Sequence, residues 1–306
     1  MAIFIFILLH AMFPILFVVA LGFVLQRILH FDVHTFTQIN LYVFIPAILF
    51  VKIYEVEIEM GFLSKLFVYI VGIQFVMLLI GDLIARIFHY PRNKRKAFGN
   101  LLLFFNSGNY GLPLMEVLFP GNSAAFASQI FIMLIQNITT STYGIFQASS
   151  GKSSTGKALK KIMCTPLIYI VLSAAVLRGT GLEIPEMIMT PVKYLSSGFV
   201  GIGLFTLGVQ LAEIKTNINL KAVLPSSFIR LILSPVIGYM FTVFLGIKGE
   251  LAKAVIIGIA MPSAVNTVIL AQEYDNEPEY VAQNVLASTV LSPFSLALLV
   301  YSLTFM

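Results

Sequence analysis

Two short stretches hold the residues whose types and spacing could do chemistry. The first reads Asn106-Ser107-Gly108-Asn109-Tyr110-Gly111-Leu112-Pro113, and the second Met261-Pro262-Ser263-Ala264-Val265-Asn266-Thr267. Each lies inside a charge-free, otherwise apolar run. A proline has no amide to donate and clashes with the carbonyl four residues back, which for Pro113 belongs to Asn109. The glycines tolerate an unwound backbone. In hydrocarbon, freed backbone groups need partners from protein or a water-lined cavity, so each break predicts a polar pocket. Broken helices also expose half-helix N-termini, whose amides and positive dipole ends favour anions. Asn109 and Asn266 would add amides that both donate and accept. The chemistry is then reversible binding of a small anion, and a carboxylate suits it. The candidate binding residues are Asn106, Ser107, Gly108, Asn109, Tyr110, Gly111 and Pro113 from one break, and Pro262, Ser263, Asn266 and Thr267 from the other.

Charged and polar residues elsewhere in the apolar runs are candidates for charge or coupling roles. Arg230 stands about nine residues into one run, where a charge costs roughly 2.5–3.5 kcal/mol on insertion scales. It can snorkel, cap a helix, or attract an anionic substrate. Asp82 precedes Arg86 by four residues, which suits a pair on one helix face or a proton-coupling role. Glu116 and Glu273 close the two interrupted segments at matching positions, explained by solvation near an interface or by coupling. Gln74, like Gln129, Gln136, Asn137 and Gln283, suits a cavity wall, a cation ligand or a hydrogen bond between helices.

Other chemistries find no support. The single cysteine, Cys164, excludes an internal disulfide and a Cys-based metal cluster, and His10, His30, His34 and His89 form no HExxH motif. Gly151-Lys152-Ser153 has Phe146 where a P-loop needs glycine, and Asn137-Ile138-Thr139 lies within an apolar run. No run carries a paired acid, a Ser/His pair or a metal site at depth, so neither enzyme activity nor a cofactor is expected.

The elements that must position these residues are membrane helices. The chain has 306 residues, 58% hydrophobic and 11% charged, whereas a soluble domain carries about 25% charged residues. About 20 apolar residues span a bilayer core, and the pattern places spans at 3–26, 38–53, 62–88, 98–118, 124–147, 162–178, 193–211, 221–245, 254–273 and 280–304. The apolar first 26 residues lack a basic leader and a small-residue cleavage site, so they read as the first span. The fold class is an all-α polytopic membrane protein, and its partner is the lipid bilayer. A formal charge of +5 resides in membrane-flanking loops and gives no reason to expect a nucleic-acid partner.

A polar linker, 148–161, separates a first unit of five spans, 1–147, from a second, 162–306. Asn109 and Asn266 are 157 residues apart, as are Glu116 and Glu273, and Gln129 and Gln283 are 154 apart. Five spans per unit is odd, so the second unit enters the membrane from the opposite side. The units are then inverted repeats, with a binding site at their interface. Arg27, Arg86, Arg92, Lys94, Arg95, Lys96, Lys152, Lys157, Lys160, Lys161, Lys215 and Lys221 fall on one side. Lys52, Lys65, Arg178, Lys193, Lys248 and Lys253 fall on the other. The richer side is cytoplasmic by the positive-inside rule, which puts both termini outside.

The segment Asn106–Leu114 resembles the fourth-span signature of the auxin efflux carrier family, which includes plant PIN transporters and bacterial malate and malonate permeases. Phe44-Ile45-Pro46-Ala47, Leu207-Gly208-Val209-Gln210-Leu211, Arg230-Leu231 with Pro235, and Met261-Pro262 with Asn266 extend the resemblance along the chain. The short linker is similar to that of bacterial-type members. The resemblance implies ten helices with crossed fourth and ninth helices. Spans 3–5 and 8–10 would form a transport domain. Spans 1, 2, 6 and 7 would form a scaffold that also makes a homodimer. It implies a secondary active transporter, an exporter or permease of auxin-like acids, malate or malonate, working by an elevator motion in the plasma membrane. A channel or sensor of the same fold, or a sodium-coupled organic-anion symporter, is the alternative, and a coupling proton or sodium ion stays open. Gly198, Gly201 and Gly203 depart from relatives that often carry a proline in span seven, and are expected, with Gly208, to pack helices closely.

Overall fold

The computed structural model describes residues 2–56, 60–149, 166–214 and 218–306. Most of the expected linker, with Cys164, the start of the sixth expected span and Lys215, lies outside the described residues. Among the described residues every element is helical and no strand occurs. Six helices are long and apolar enough to cross a membrane: α1 (Phe4–Leu29), α2 (Val33–Glu55), α3 (Gly61–Ile87), α8 (Glu186–Ala212), α9 (Leu220–Leu245) and α12 (Pro278–Leu303). The shorter helices are α4 (Arg92–Leu103), α5 (Leu112–Leu118), α6 (Ser123–Thr139, running on through a wide turn to Ala148), α7 (Pro166–Gly179), α10 (Gly249–Ile259) and α11 (Asn266–Glu273). The expected spans 98–118 and 254–273 are thus each split in two.

Short polar residues set the helix ends. Asp32 accepts from the amides of His34 and Thr35 at the start of α2, Asn122 from Ala125 at α6, and Asn219 from Lys221 at α9. These caps satisfy amides that the first turn leaves unpaired. The Thr35 hydroxyl, aided by the His34 amide, holds the Asp32 carboxyl below its ordinary value. At the other end, Gly246 closes α9 with φ +64°, a left-handed cap that glycine adopts without strain.

Prolines inside the helices are mostly absorbed. Wide, π-helical turns at Leu8–Met12, Asn40–Phe44 and Ile229–Leu233 run up to Pro14, Pro46 and Pro235, each at the start of the next α-helical stretch. The extra residue per turn moves the carbonyl that a proline ring would strike, so α1, α2 and α9 continue. Pro113 follows the same rule: it lies in the first turn of α5, after a wide turn at Ser107–Gly111. Its missing amide costs nothing there. The sequence expectation that Pro113 makes the break is therefore corrected. The interruption lies upstream, where Phe104 turns extended at φ −103° and ψ 123°.

The helices pack in two groups. α1 lies along α8, and α7 and α8 along α2; α3 packs on α4 and α9, α6 on α10, and α9 on α10 and α12. The α1–α8 contact is main chain on main chain. A Cβ at Gly22 would lie 2.3 Å from the Phe205 carbonyl oxygen, and one at Gly208 2.0 Å from that of Val19. Gly198 is similarly closed by Phe44, 2.7 Å from an added Cβ, but Gly201 faces open space and does not pack closely. The groups meet where α2 and α8 face α5 and α6, and the two interrupted segments reach this seam.

Candidate functional site

The two interruptions pair through their main chains. Phe105 and Ser263 form an isolated antiparallel bridge. The Asn106 amide donates to the Pro262 carbonyl at 2.8 Å, and the Ala264 amide to the Phe104 carbonyl at 3.1 Å. The Ser263 hydroxyl donates to the Leu101 carbonyl at 2.9 Å, and its amide to the Ser288 hydroxyl at 3.2 Å. Backbone groups freed by each break are therefore satisfied in part by the other break and otherwise by buried side chains around them, which is what an apolar setting demands.

Four helix ends converge here: the C-termini of α4 and α10 and the N-termini of α5, with its wide turn, and α11. Arg230 deals with the first pair. Its Nη1 donates to the Leu102 carbonyl at 2.9 Å and its Nε to the Met261 carbonyl at 3.0 Å. Its guanidinium carbon lies 4.4 Å from the centre of the Phe105 ring, a cation–π contact. With 1% of its surface exposed, Arg230 does not snorkel. It caps both half-helices at once, and its charge offsets their two negative dipole ends. The N-terminal ends keep their positive potential.

That potential faces a cavity of about 150 Å³ on the seam. Asn106, Ser107, Gly108, Asn109, Ala264, Val265 and Asn266 line it from the breaks, Met133, Gln136, Asn137 and Thr140 from α6, and Thr37, Asn40, Leu41, Ile45, Leu167 and Gln210 from α2, α7 and α8. A second cavity, about 440 Å³, shares Thr37, Gln210 and Val265 with it and reaches the bundle end at Val33, Glu213, Gln272 and Glu279. Glu213 accepts a hydrogen bond from Gln26 at 2.8 Å.

The two asparagines differ in their surroundings. Asn109 accepts from Asn40 Nδ2 at 3.0 Å and donates to Gln210 Oε1 at 3.3 Å, and Gln210 in turn donates to the Thr37 hydroxyl at 3.1 Å. Asn266, the first residue of α11, is exposed to the cavity. Its side chain makes no hydrogen bond among the described residues. Thr37, Asn40 and Gln210 escaped selection from sequence as site residues. Thr37 lies just before the expected span 38–53 and Asn40 offers only a polar side chain within it, while Gln210 stands in the Leu207–Leu211 stretch of the resemblance, which by itself assigns it no partner.

The remaining sequence candidates stand behind the cavity. Tyr110 is buried, and its hydroxyl accepts from Ser292 at 3.2 Å. The Thr267 hydroxyl donates to the Ala264 carbonyl at 2.6 Å. Pro113, Pro262 and Ser263 are buried and shape the backbone. Gly111 is needed for space, because an added Cβ would lie 2.3 Å from Gln129 Nε2. Gln129 is pinched from the far side too: a Cβ on Gly258 would lie 2.4 Å from its Oε1. So held, its Nε2 donates to the Ser107 carbonyl at 2.9 Å, while Gln136 donates to that of Leu103 at 3.1 Å.

The coupling candidates have partners of their own. Glu116 forms an ion pair with Lys52 of α2 at 2.8 Å, with the two side chains 31% and 12% exposed. This contact spans the seam, so interfacial solvation does not account for Glu116. Asp82 pairs with Arg86 at 2.8 Å, as the spacing suggests, and also with Arg95 of α4. Gln74 donates to the Thr139 hydroxyl at 3.0 Å, a bond between α3 and α6. Glu273 is exposed at the end of α11, away from its sequence counterpart and without an ion pair among the described residues.

Comparison with known proteins adds a family. The sequence profile of the family described as Membrane transport protein matches residues 7–155 and 149–300. The chain is 27% identical over 217 residues to the uncharacterized transporter MJ1031 of Methanocaldococcus jannaschii, covering 69% of this chain and 70% of that one. It is 23% identical over 274 residues to an uncharacterized transporter of Methanothermobacter thermautotrophicus, covering 87% and 88%. A third relative, auxin efflux carrier component 8 of Arabidopsis thaliana, is 26% identical over 148 residues, 46% of this chain and 40% of the plant protein.

Proposed function

The chain belongs to the Membrane transport protein family, and on that premise we propose that this transporter is a secondary carrier of small organic anions, carboxylates such as auxin-like acids, malate or malonate. It is a multi-pass membrane transporter, not an enzyme. The observation that carries the anion reading is the bridge between Phe105 and Ser263. It brings two half-helix N-termini and the amides of Asn106, Asn109 and Asn266 to one small cavity. Arg230 meanwhile neutralises the C-terminal ends that would repel an anion. A carboxylate there would accept from Asn266 Nδ2 and from main-chain amides at the start of α11 and the wide turn.

In this reading the ten spans are two inverted repeats whose interrupted fourth and ninth members cross. α1, α2, α7 and α8 are the scaffold and the dimer-forming side, and α3–α6 with α9–α12 are the moving body. Support comes from the position of the cavity on the seam between the groups, with walls from both. Sliding of one group along the other would carry Asn109 and Asn266 from one face to the other. With the Lys-rich and Arg-rich side cytoplasmic and both termini outside, the second cavity opens inward and this is the inward-facing conformation. The test is uptake of a labelled carboxylate panel into proteoliposomes. A carrier gives saturable uptake accelerated by unlabelled substrate on the far side. Linear, non-exchanging flux would replace the carrier with a channel.

A further inference from the structure

One end of α4 carries more positive charge than its neighbours answer. Arg92, Lys94, Arg95 and Lys96 fall within the first five residues of α4, at the positive end of its dipole, where cations are disfavoured. Pro91 at the cap position makes no side-chain hydrogen bond to the first amides. Asp82 is shared between Arg86 and Arg95. The Lys94 ammonium lies over the Tyr90 and Tyr280 rings at 4.6 and 4.7 Å. Arg92 and Lys96 have no ion pair among the described residues.

Arg92, Arg95 and Lys96 border a cleft of about 530 Å³ between α3, α4 and α6, walled also by Asp82, Tyr143 and Gln147. None of its lining residues lines the seam cavity. Charge that only set the orientation of the chain would have no need of a concave wall, nor of Tyr143 and Gln147 lining it. We propose that this cleft binds a phosphate group. Guanidinium forks match phosphate oxygens in pairs, Lys96 supplies a point charge, and Tyr143 and Gln147 supply neutral donors. A dianion would also relieve the crowding of cations at the helix start. The group can come from the headgroup of an acidic phospholipid, whose chains would lie along the exposed Leu79, Leu83 and Ile87 of α3, or from free phosphate; basic pockets between membrane helices suit headgroups. Either source would steady the half-helix that leads to Phe104.

The test uses the purified full chain in detergent, with thermal melting followed on adding phosphatidic acid, phosphatidylcholine or inorganic phosphate. Phosphatidic acid should raise the melting temperature and phosphatidylcholine should not. An equal rise with inorganic phosphate would assign the group to a soluble source, and a rise with the lipid alone to a headgroup. In the R92Q/K96Q variant the apparent affinity should fall at least about tenfold. The R27Q/K221Q variant, which removes cations outside the cleft, should keep the full rise. Arg92 is exposed, so R92Q alone serves if the double variant does not fold. No rise with either phosphate source, a rise that survives R92Q/K96Q, or equal losses in both double variants would overturn the proposal.

Discussion

The two breaks occupy equivalent places in the sequence and unequal places in the structure. The first spreads over an extended stretch and a wide turn, and its Asn109 is held across the seam by Asn40 and Gln210. The second is compact, and its Asn266 stands free at the mouth of α11. A spacing of 157 residues separates Asn109 from Asn266, but the neighbours decide what each interruption can do. One break is tied to the opposite group of helices, and the other keeps its asparagine exposed at the cavity wall.

The contrast rests on Arg230, which serves both breaks, so its loss should be the largest effect. Arg230→Met would leave the Leu102 and Met261 carbonyls buried and unpaired, at about 1–3 kcal/mol each. Thermal melting in detergent should show a deeper fall than alanine at Asn109, Gln129, Gln210 or Asn266 produces, with Arg230→Lys intermediate. A melt unchanged by Arg230→Met would mean that the bridge holds without its cap.

Asn266→Ala should come next and should read on binding. A hydrogen bond to a charged group contributes about 1.5–3 kcal/mol, so carboxylate affinity should fall about 10- to 150-fold. Asn109→Ala should cost less, because Asn109 must release two neutral partners before it can hold a ligand. Isothermal titration of both variants tests the inequality, and equal losses would restore symmetry to the site. Asn→Asp at either position should be worse than Ala for an anion and better for a cation.

Gly111→Ala and Gly258→Ala strike Gln129 from opposite breaks, at 2.3 and 2.4 Å. Each should displace its bond to Ser107 at about 1–3 kcal/mol of stability. Because both act on Gln129, the double variant should fall short of the sum, and Gln129→Ala should relieve the clash at Gly111→Ala fully and that at Gly258→Ala in part, since Ile132 Cδ1 still lies 2.8 Å from the latter Cβ. Melting temperatures that simply add would show that the breaks are not coupled through Gln129.

The smallest effect belongs to the far side of the seam. Gln210→Ala removes two neutral bonds, to Asn109 and Thr37, each worth about 1 kcal/mol, and, with only Asn40 still holding Asn109, should tighten carboxylate binding up to about fivefold. In a Cys164→Ser background, cysteines at Ser107 and Ala264 should change accessible face together when substrate is added. Ser154→Cys should resist an impermeant reagent from outside. Ready external labelling there would reverse the orientation.

Much of the helical plan was legible because membrane helices are written in long apolar runs, and six such helices stand where the runs lie. The break near Pro113 was legible in outline and misplaced in detail. Pro14, Pro46, Pro113 and Pro235 look alike in sequence, and each follows a wide turn. What separates Pro113 is an extended stretch at Phe104–Asn106 whose partner, around Ser263, lies in the other half of the chain. No local pattern encodes that pairing. Arg230 was visible as a costly charge, but the two carbonyls it caps belong to distant helices. Asn40 and Gln210 were hidden for the same reason, since a polar residue in an apolar run does not announce which neighbour it meets.

The Phe105–Ser263 bridge is made of main-chain atoms, and main chain is indifferent to which side chains it bears. The pairing of the two interruptions can therefore persist while the residues around the cavity drift. Substitutions at Thr37, Asn40, Met133, Asn137 or Leu167 change the lining without touching a main-chain bond that pairs the two interruptions. Such a division would let one frame be retuned to new cargo by a few exchanges at its walls, and directed evolution toward a different substrate should begin at those five positions.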